Sequence, residues 1–190
     1  MVRVMIDAKE AKQRLIDGNL RYLDADTAKG DVSPLVRRVT ALNGQHPYAI
    51  VVTCSDSRVI PESIFSAGIG ELFVVRVAGN VIDDHQLGSI EYAADHLGTK
   101  LILVLGHTKC GAVDSAIKGH EGRFIESIIR DIELAIGDEK DPYKASCLNM
   151  KHGVEVIRHE LEIHPVHDPD GLVAAGAIYD IEDGSVEFLD

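Results

Sequence analysis

Residues 49–58 read Ala-Ile-Val-Val-Thr-Cys-Ser-Asp-Ser-Arg, and residues 101–111 read Leu-Ile-Leu-Val-Leu-Gly-His-Thr-Lys-Cys-Gly. In each stretch an apolar run stops and reactive polar residues follow at once. Short runs of this kind, rich in Val, Ile and Leu and without polar alternation, suit strands buried on both faces, as in a parallel sheet. Working outward, residues 48–53 form the first such run, 72–77 the second, 101–105 the third and 172–179 the fourth. A fifth, residues 185–189, follows Asp183-Gly184, a hairpin turn signal, and is expected to add antiparallel to the fourth. Helical stretches lie between them at 61–67, 86–97, 111–118, 125–136 and about 146–161. The expected fold is therefore of the α/β class: a mostly parallel central β-sheet flanked by helices, with a C-terminal antiparallel edge strand.

Upstream of the first strand the pattern is helical. Residues 8 to about 23 form an amphipathic helix with Ala11, Leu15 and Leu20 among its apolar positions and Asp7 as its cap. Residues 24–34 are polar and punctuated by Gly and Pro, which predicts a loop. A second short helix is expected over 36–42, closed by Gly44. The chain has 190 residues and is 45% hydrophobic, enough for one compact domain with a sizeable core. The expected organisation is one domain over 1–190, with a helical arm at 1–44 and an α/β core at 45–190.

Bulk charge narrows the function. The formal net charge is −12 and the sequence pI is about 5.1. So acidic a surface repels nucleic acid and anionic membrane faces, and neither is an expected partner. No signal-peptide pattern is seen at the start, and the apolar runs fall short of the roughly 18–20 residues a bilayer span needs. The three cysteines, Cys54, Cys110 and Cys147, are too sparse for a disulfide framework. Reduced thiols in the cytoplasm fit better.

In open α/β sheets ligands bind beyond the carboxyl ends of the strands. Cys54 follows the first strand. His107 and Cys110 follow the third, three residues apart in a strand-to-helix turn. If the two strands are neighbours, the three side chains share one site. Two thiolates and an imidazole suit Zn2+, and three protein ligands leave the fourth tetrahedral position open, as in catalytic zinc sites. Taken singly, a Cys at a strand end is more often a small buried hydrophobe and a His a satisfied polar group; the joint placement favours the metal. Cys147, inside an expected helix, reads as structural. His85, His96, His120, His152, His159, His164 and His167 show no metal spacing.

Asp56 and Arg58 flank the first ligand. Two thiolates neutralise a zinc ion and acidify its water less than neutral imidazoles do, so a nearby proton acceptor is needed. Asp56 fills that role. A free aspartate could also close the site as a fourth ligand, and a bidentate pair with Arg58 prevents this. The plainer reading is a structural ion pair in a loop. Other chemistries lack their residues: the place of a phosphatase arginine is Ile60, Gly68-Ile69-Gly70 lacks the third glycine of a dinucleotide loop, and no Walker or Gly-x-Ser-x-Gly sequence occurs.

These residues resemble the β-class carbonic anhydrases. The likeness lies in CSDSRVIPE (residues 54–62), FVVRVAGN (73–80) and GHTKCGAV (106–113), and extends to residues 18–22 and to GAIYDIEDGSVEFL (176–189). The family often has Asn where this chain has Val77. Members that sense bicarbonate carry a Trp where this chain has Val51, so no such regulatory site is expected. The resemblance implies zinc on Cys54, His107 and Cys110, a catalytic Asp56–Arg58 dyad, and reversible hydration of carbon dioxide to bicarbonate. It implies that Gln45 reaches the substrate pocket of a dimer partner and that Gly111 lets substrate approach. It also implies a homodimer or homotetramer whose N-terminal helices pack on the partner. Hydrolysis of carbon disulfide or carbonyl sulfide on the same zinc, or a non-catalytic zinc-binding regulatory role, are the alternatives.

Overall fold

The computed structural model describes residues 6–24, 30–119, 122–163, 165–166 and 169–189. His120, His164, His167 and residues 25–29 of the loop expected at 24–34 lie outside them. Helix α1 (Ala8–Leu23) begins at Asp7, whose carboxylate accepts from the Glu10 N–H. Helix α2 (Pro34–Asn43) begins at Ser33, whose hydroxyl accepts from the Val36 N–H, and ends at Gly44 with φ +80°. Then follow β1 (Ala49–Thr53), α3 (Pro61–Ile64), β2 (Leu72–Arg76), a 3₁₀ turn (Ala78–Asn80), α4 (Asp84–Asp95) and β3 (Leu101–His107). Helices α5 (Gly111–Lys118), α6 (Glu126–Ile136) and α7 (Pro142–Ile163) lead to β4 (Val173–Tyr179) and β5 (Val186–Leu189).

The strands form one five-stranded sheet in the order β2-β1-β3-β4-β5. β2, β1, β3 and β4 run parallel, and β5 pairs antiparallel with β4. Every residue of β1 and β3 is buried, as continuous apolar strands demand. Alternate residues serve opposite faces. Val51, Leu103 and Leu105 pack with Ala11 and Leu15 of α1. Ile50, Val52, Ile102 and Val104 pack with Ile90 of α4 and Met150 and Ile157 of α7. Each such aliphatic side chain taken from water contributes about 1.5–3 kcal/mol before entropy is counted.

Several boundaries differ from expectation, four of them with a plain physical reason. α3 stops at Ile64 rather than 67, because Ser66 turns left-handed at φ +48°. α4 starts two residues early, where Asp83 and Gln86 form a reciprocal capping box. α7 starts at Pro142, since the Asp141 carboxylate caps it through the Lys144 N–H and a proline is tolerated in the first turn. β3 runs on to His107 because its ladder with β4 extends to Tyr179.

The N-terminal helices behave differently from one another. α1 buries Ala8, Ala11 and Leu15 in its own chain's core. Gly18 lets it approach closely: a Cβ there meets the Phe65 carbonyl oxygen at 2.0 Å. α2 buries no residue. Among the described residues no helix is long and apolar enough to cross a membrane.

Candidate metal centre

β1 and β3 are hydrogen-bonded neighbours, with Thr53 opposite Leu105, so the segments leaving their carboxyl ends emerge side by side. Cys54 follows β1 directly, His107 ends β3, and Cys110 is the residue before the first turn of α5. Lys109 turns the chain between them at φ +57°. The ligand atoms of Cys54, His107 and Cys110 all lie within 4.8 Å of one another. All three residues are buried, at 5%, 1% and 4% exposure.

The donor set fits a metal ion. His107 Nδ1 lies 2.9 Å from the Thr108 carbonyl oxygen, which can only accept, so Nδ1 carries the hydrogen. Nε2 is then a bare lone pair, and it is buried without a hydrogen-bond partner among the described residues. Leaving a buried acceptor unpaired costs about 1–3 kcal/mol, and a cation at Nε2 would remove that cost. Backbone N–H groups face both sulfurs: those of Asp56 and Gly79 point at Cys54, and those of Ala112 and Val113, at the start of α5, point at Cys110. The Gly79 nitrogen is 3.3 Å from Cys54 Sγ. The thiols share one proton unequally. The hydrogen bond from Cys110, chiefly, pulls Cys54 down to about 4 against the opposing effect of burial, with smaller help from the backbone N–H groups of Asp56 and Gly79. The same bond, with burial and the Cys54 charge, pushes Cys110 far up.

Asp56 and Arg58 form the bidentate pair expected of them. Arg58 Nε donates to Oδ1 at 2.9 Å and Nη2 to Oδ2 at 2.7 Å, while the Arg58 backbone N–H donates to Oδ1 at 2.9 Å. Arg58 Nη2 also donates to the Lys109 carbonyl at 3.2 Å, which ties the first ligand segment to the second. The guanidinium holds the Asp56 carboxyl well below the usual carboxylate range.

Gly111 opens α5 beside Cys110, and a Cβ built there meets nothing within 4 Å. Packing therefore does not demand a glycine at that point. Gln45 is not brought to this site. It precedes β1, whereas Cys54 follows it, so Gln45 sits at the opposite end of the sheet, exposed. Three supports had no assigned role in the sequence reading. Arg76, at the end of β2, donates from Nε to the Cys54 carbonyl at 3.2 Å and from Nη2 to the Asp56 carbonyl at 2.7 Å. Gly79 and Asn80 take left-handed conformations beneath Cys54. Asn149, on α7, donates to the Gly79 carbonyl at 2.7 Å. A strand-end arginine was legible as a site candidate; a lone Asn in a helix carries no such signal.

A family model described as carbonic anhydrase matches residues 49–186. A carbonic anhydrase of Mycolicibacterium smegmatis is 35% identical over 189 residues, covering 93% of this chain and 91% of the relative. One from Pseudomonas aeruginosa is 32% identical, covering 93% and 86%. Among solved structures, the β-carbonic anhydrase CafA of Aspergillus fumigatus superposes with a TM-score of 0.73 at 28% identity, covering 83% of this chain and 81% of that one. One of two tetrameric β-carbonic anhydrases of Sordaria macrospora does so at 0.69 and 27% identity, covering 82% and 87%.

Proposed function

The chain belongs to the β-carbonic anhydrase family, and from that premise we propose that it hydrates carbon dioxide reversibly at a zinc ion held by Cys54, His107 and Cys110. One observation carries the ligand assignment: two sulfurs and an unpartnered imidazole nitrogen converge within 4.8 Å in a buried setting. Zinc bound there supplies a water acidified toward neutral pH, and hence a nucleophile for the carbon of CO2.

The chain's own residues do the rest. Asp56 would accept a hydrogen bond from a water bound there and pass the proton that this water sheds on toward solvent. Because Arg58 keeps the carboxylate ionised, Asp56 is an orienting acceptor and relay, never a proton store. The same grip keeps Asp56 from turning onto the metal, which speaks for turnover over a closed, non-catalytic site. Gly111 leaves room for substrate beside Cys110.

The working unit is a homo-oligomer. α2 exposes Leu35 at 64%, Val39 at 45% and Leu42 at 85%, an apolar face that a second copy would cover. The partner's copy of Gln45 would then complete each pocket. Three free thiols suit a reducing, cytoplasmic setting. Zinc analysis of the purified protein, followed by stopped-flow hydration of CO2, tests the reading. Stoichiometric zinc with rapid hydration is expected; zinc without turnover would sink the catalytic assignment.

A further inference from the structure

The 3₁₀ turn beneath Cys54 is an unusual support for a metal ligand. Gly79 and Asn80 are both left-handed, at φ +68° and φ +47°. The Asn80 N–H closes the turn on the Val77 carbonyl at 3.0 Å, but the glycine inside it moves between conformations at little cost. Two further bonds hold the Gly79 peptide itself. The Gly79 N–H donates to Cys54 Sγ at 3.3 Å, and the Gly79 carbonyl accepts from Asn149 Nδ2 at 2.7 Å. Asn149 is itself buried, at 4% exposure, and stands on α7, an element that supplies no metal ligand. Ile132 and Ala112 close the space around Gly79, where a Cβ lies 2.7 Å from Ile132 Cδ1. The turn is thus held from one side by packing and from the other by a single side-chain donor.

We infer that Asn149 is a positioning residue for the metal centre: its amide, by fixing the Gly79 carbonyl, keeps the Gly79 N–H aimed at the Cys54 sulfur. An N–H···S bond withdraws electron density from a thiolate. It therefore tempers how strongly Cys54 donates to the cation and how firmly that sulfur is placed. The inference rests on the proposed ligand set.

The test uses the full chain with Co2+ in place of zinc, read by the sulfur-to-cobalt charge-transfer band. Asn149→Leu removes the donor and keeps the branched shape of the side chain. Ser146→Ala is the control: it lies one turn away on the same helix, and its hydroxyl donates only to the Pro142 carbonyl. With the N–H···S bond lost, the Cys54 sulfur donates more strongly, so the band of Asn149→Leu moves to lower energy. Because the sulfur is also less firmly placed, and this outweighs its stronger donation, zinc affinity against a competing chelator falls about tenfold or more. Ser146→Ala matches the parent in both. A cobalt band at the parent's position in folded Asn149→Leu overturns the role of Asn149 while leaving the ligand set intact. A parent protein that takes up no cobalt overturns the ligand set and this inference together. A second measurement needs no variant: in the cadmium-loaded parent, NMR scalar coupling between the metal and the Gly79 amide proton is expected, and its absence overturns the inference.

Discussion

Arg58 grips both carboxylate oxygens of Asp56, at 2.9 and 2.7 Å, and reaches with the same guanidinium to the carbonyl of Lys109, one residue before the last metal ligand. The carboxylate is thereby fixed relative to both ligand-bearing segments at once. Removing its charge without altering its shape isolates its chemical role. Asp56→Asn is expected to retain zinc and to lose roughly 10²–10⁴-fold in hydration rate near neutral pH, the usual contribution of a positioned acid–base group. Stopped-flow assays on metal-quantified protein check this; a variant as fast as the parent ends the assignment.

The same pair has a stability signature with a defined sign. Asp56 is held below the ordinary carboxylate range, chiefly by the Arg58 side chain. A carboxyl group depressed in the folded state contributes its full stability above the unfolded value, about pH 3.9, and loses it as pH falls through the folded one. Arg58→Ala should therefore be less stable than the parent near neutral pH, with the gap closing in acid. Urea unfolding at a series of pH values reads the difference. A gap that widens as pH falls contradicts the pairing.

Zinc loading should release about one proton near neutral pH. Cys54, at about 4, already lacks its proton there. In the neutral imidazole the Thr108 bond puts the hydrogen on Nδ1 and leaves Nε2 to meet the cation. Cys110, pushed far up by its bond to Cys54, keeps its own until the cation arrives. Calorimetric titration in buffers of different ionisation heat counts the protons, and the apparent affinity should rise roughly tenfold per pH unit. A buffer-independent heat would show that both thiols were already ionised.

Much of this was legible because the chemistry sits where buried parallel strands end. The apolar runs that became β1 and β3 carry their own evidence of burial, and Cys54, His107 and Cys110 stand at their tips. Asp56 and Arg58 were readable because their partners are two residues apart. Arg76 stood at a strand tip too, but its acceptors, the Cys54 and Asp56 carbonyls, are backbone atoms that no residue code announces. Asn149 meets Gly79 across seventy positions of chain. The start of α7 was hidden by Pro142, which reads as a breaker until Asp141 is seen to cap the helix ahead of it.

Asn19 fastens three elements, and its loss should be felt in stability rather than chemistry. It is 6% exposed, and its amide nitrogen donates to the carbonyls of Ile64 at 3.3 Å and Gly184 at 2.9 Å. Its oxygen accepts from the Val186 N–H at 3.1 Å. Asn19→Ala strands those groups and should cost about 1–3 kcal/mol. Gly18→Ala drives a methyl against the Phe65 carbonyl and should cost about as much through overpacking. Denaturant unfolding at fixed protein concentration measures both. Zinc content is expected to stay at the parent's level in each folded variant.

Gln45 supplies the sharpest test of the oligomer, because its own chain keeps it from its own metal centre. Between it and Cys54 the chain runs beside the segment that leads into β2 and then through β1, with the His46 N–H bonded to the Gly70 carbonyl and the Tyr48 N–H to the Glu71 carbonyl. At about 3.3 Å per residue the two ends lie on the order of 25 Å apart. If Gln45 acts, it acts on a second copy. Gln45→Ala should then lower activity, and so should Asp56→Asn. In a mixed dimer of the two variants, one site carries the intact Asp56 of its own chain together with the intact Gln45 of its partner. Unfolding and refolding the mixture should therefore restore up to about a quarter of the parent's activity, from random pairing that makes half the dimers mixed, each with one good site. Charging the bare face of α2, as in Leu42→Glu, should abolish the recovery and shift the species to monomer in analytical ultracentrifugation. Mixed dimers that form but show no recovery would mean that Gln45 does not work across an interface.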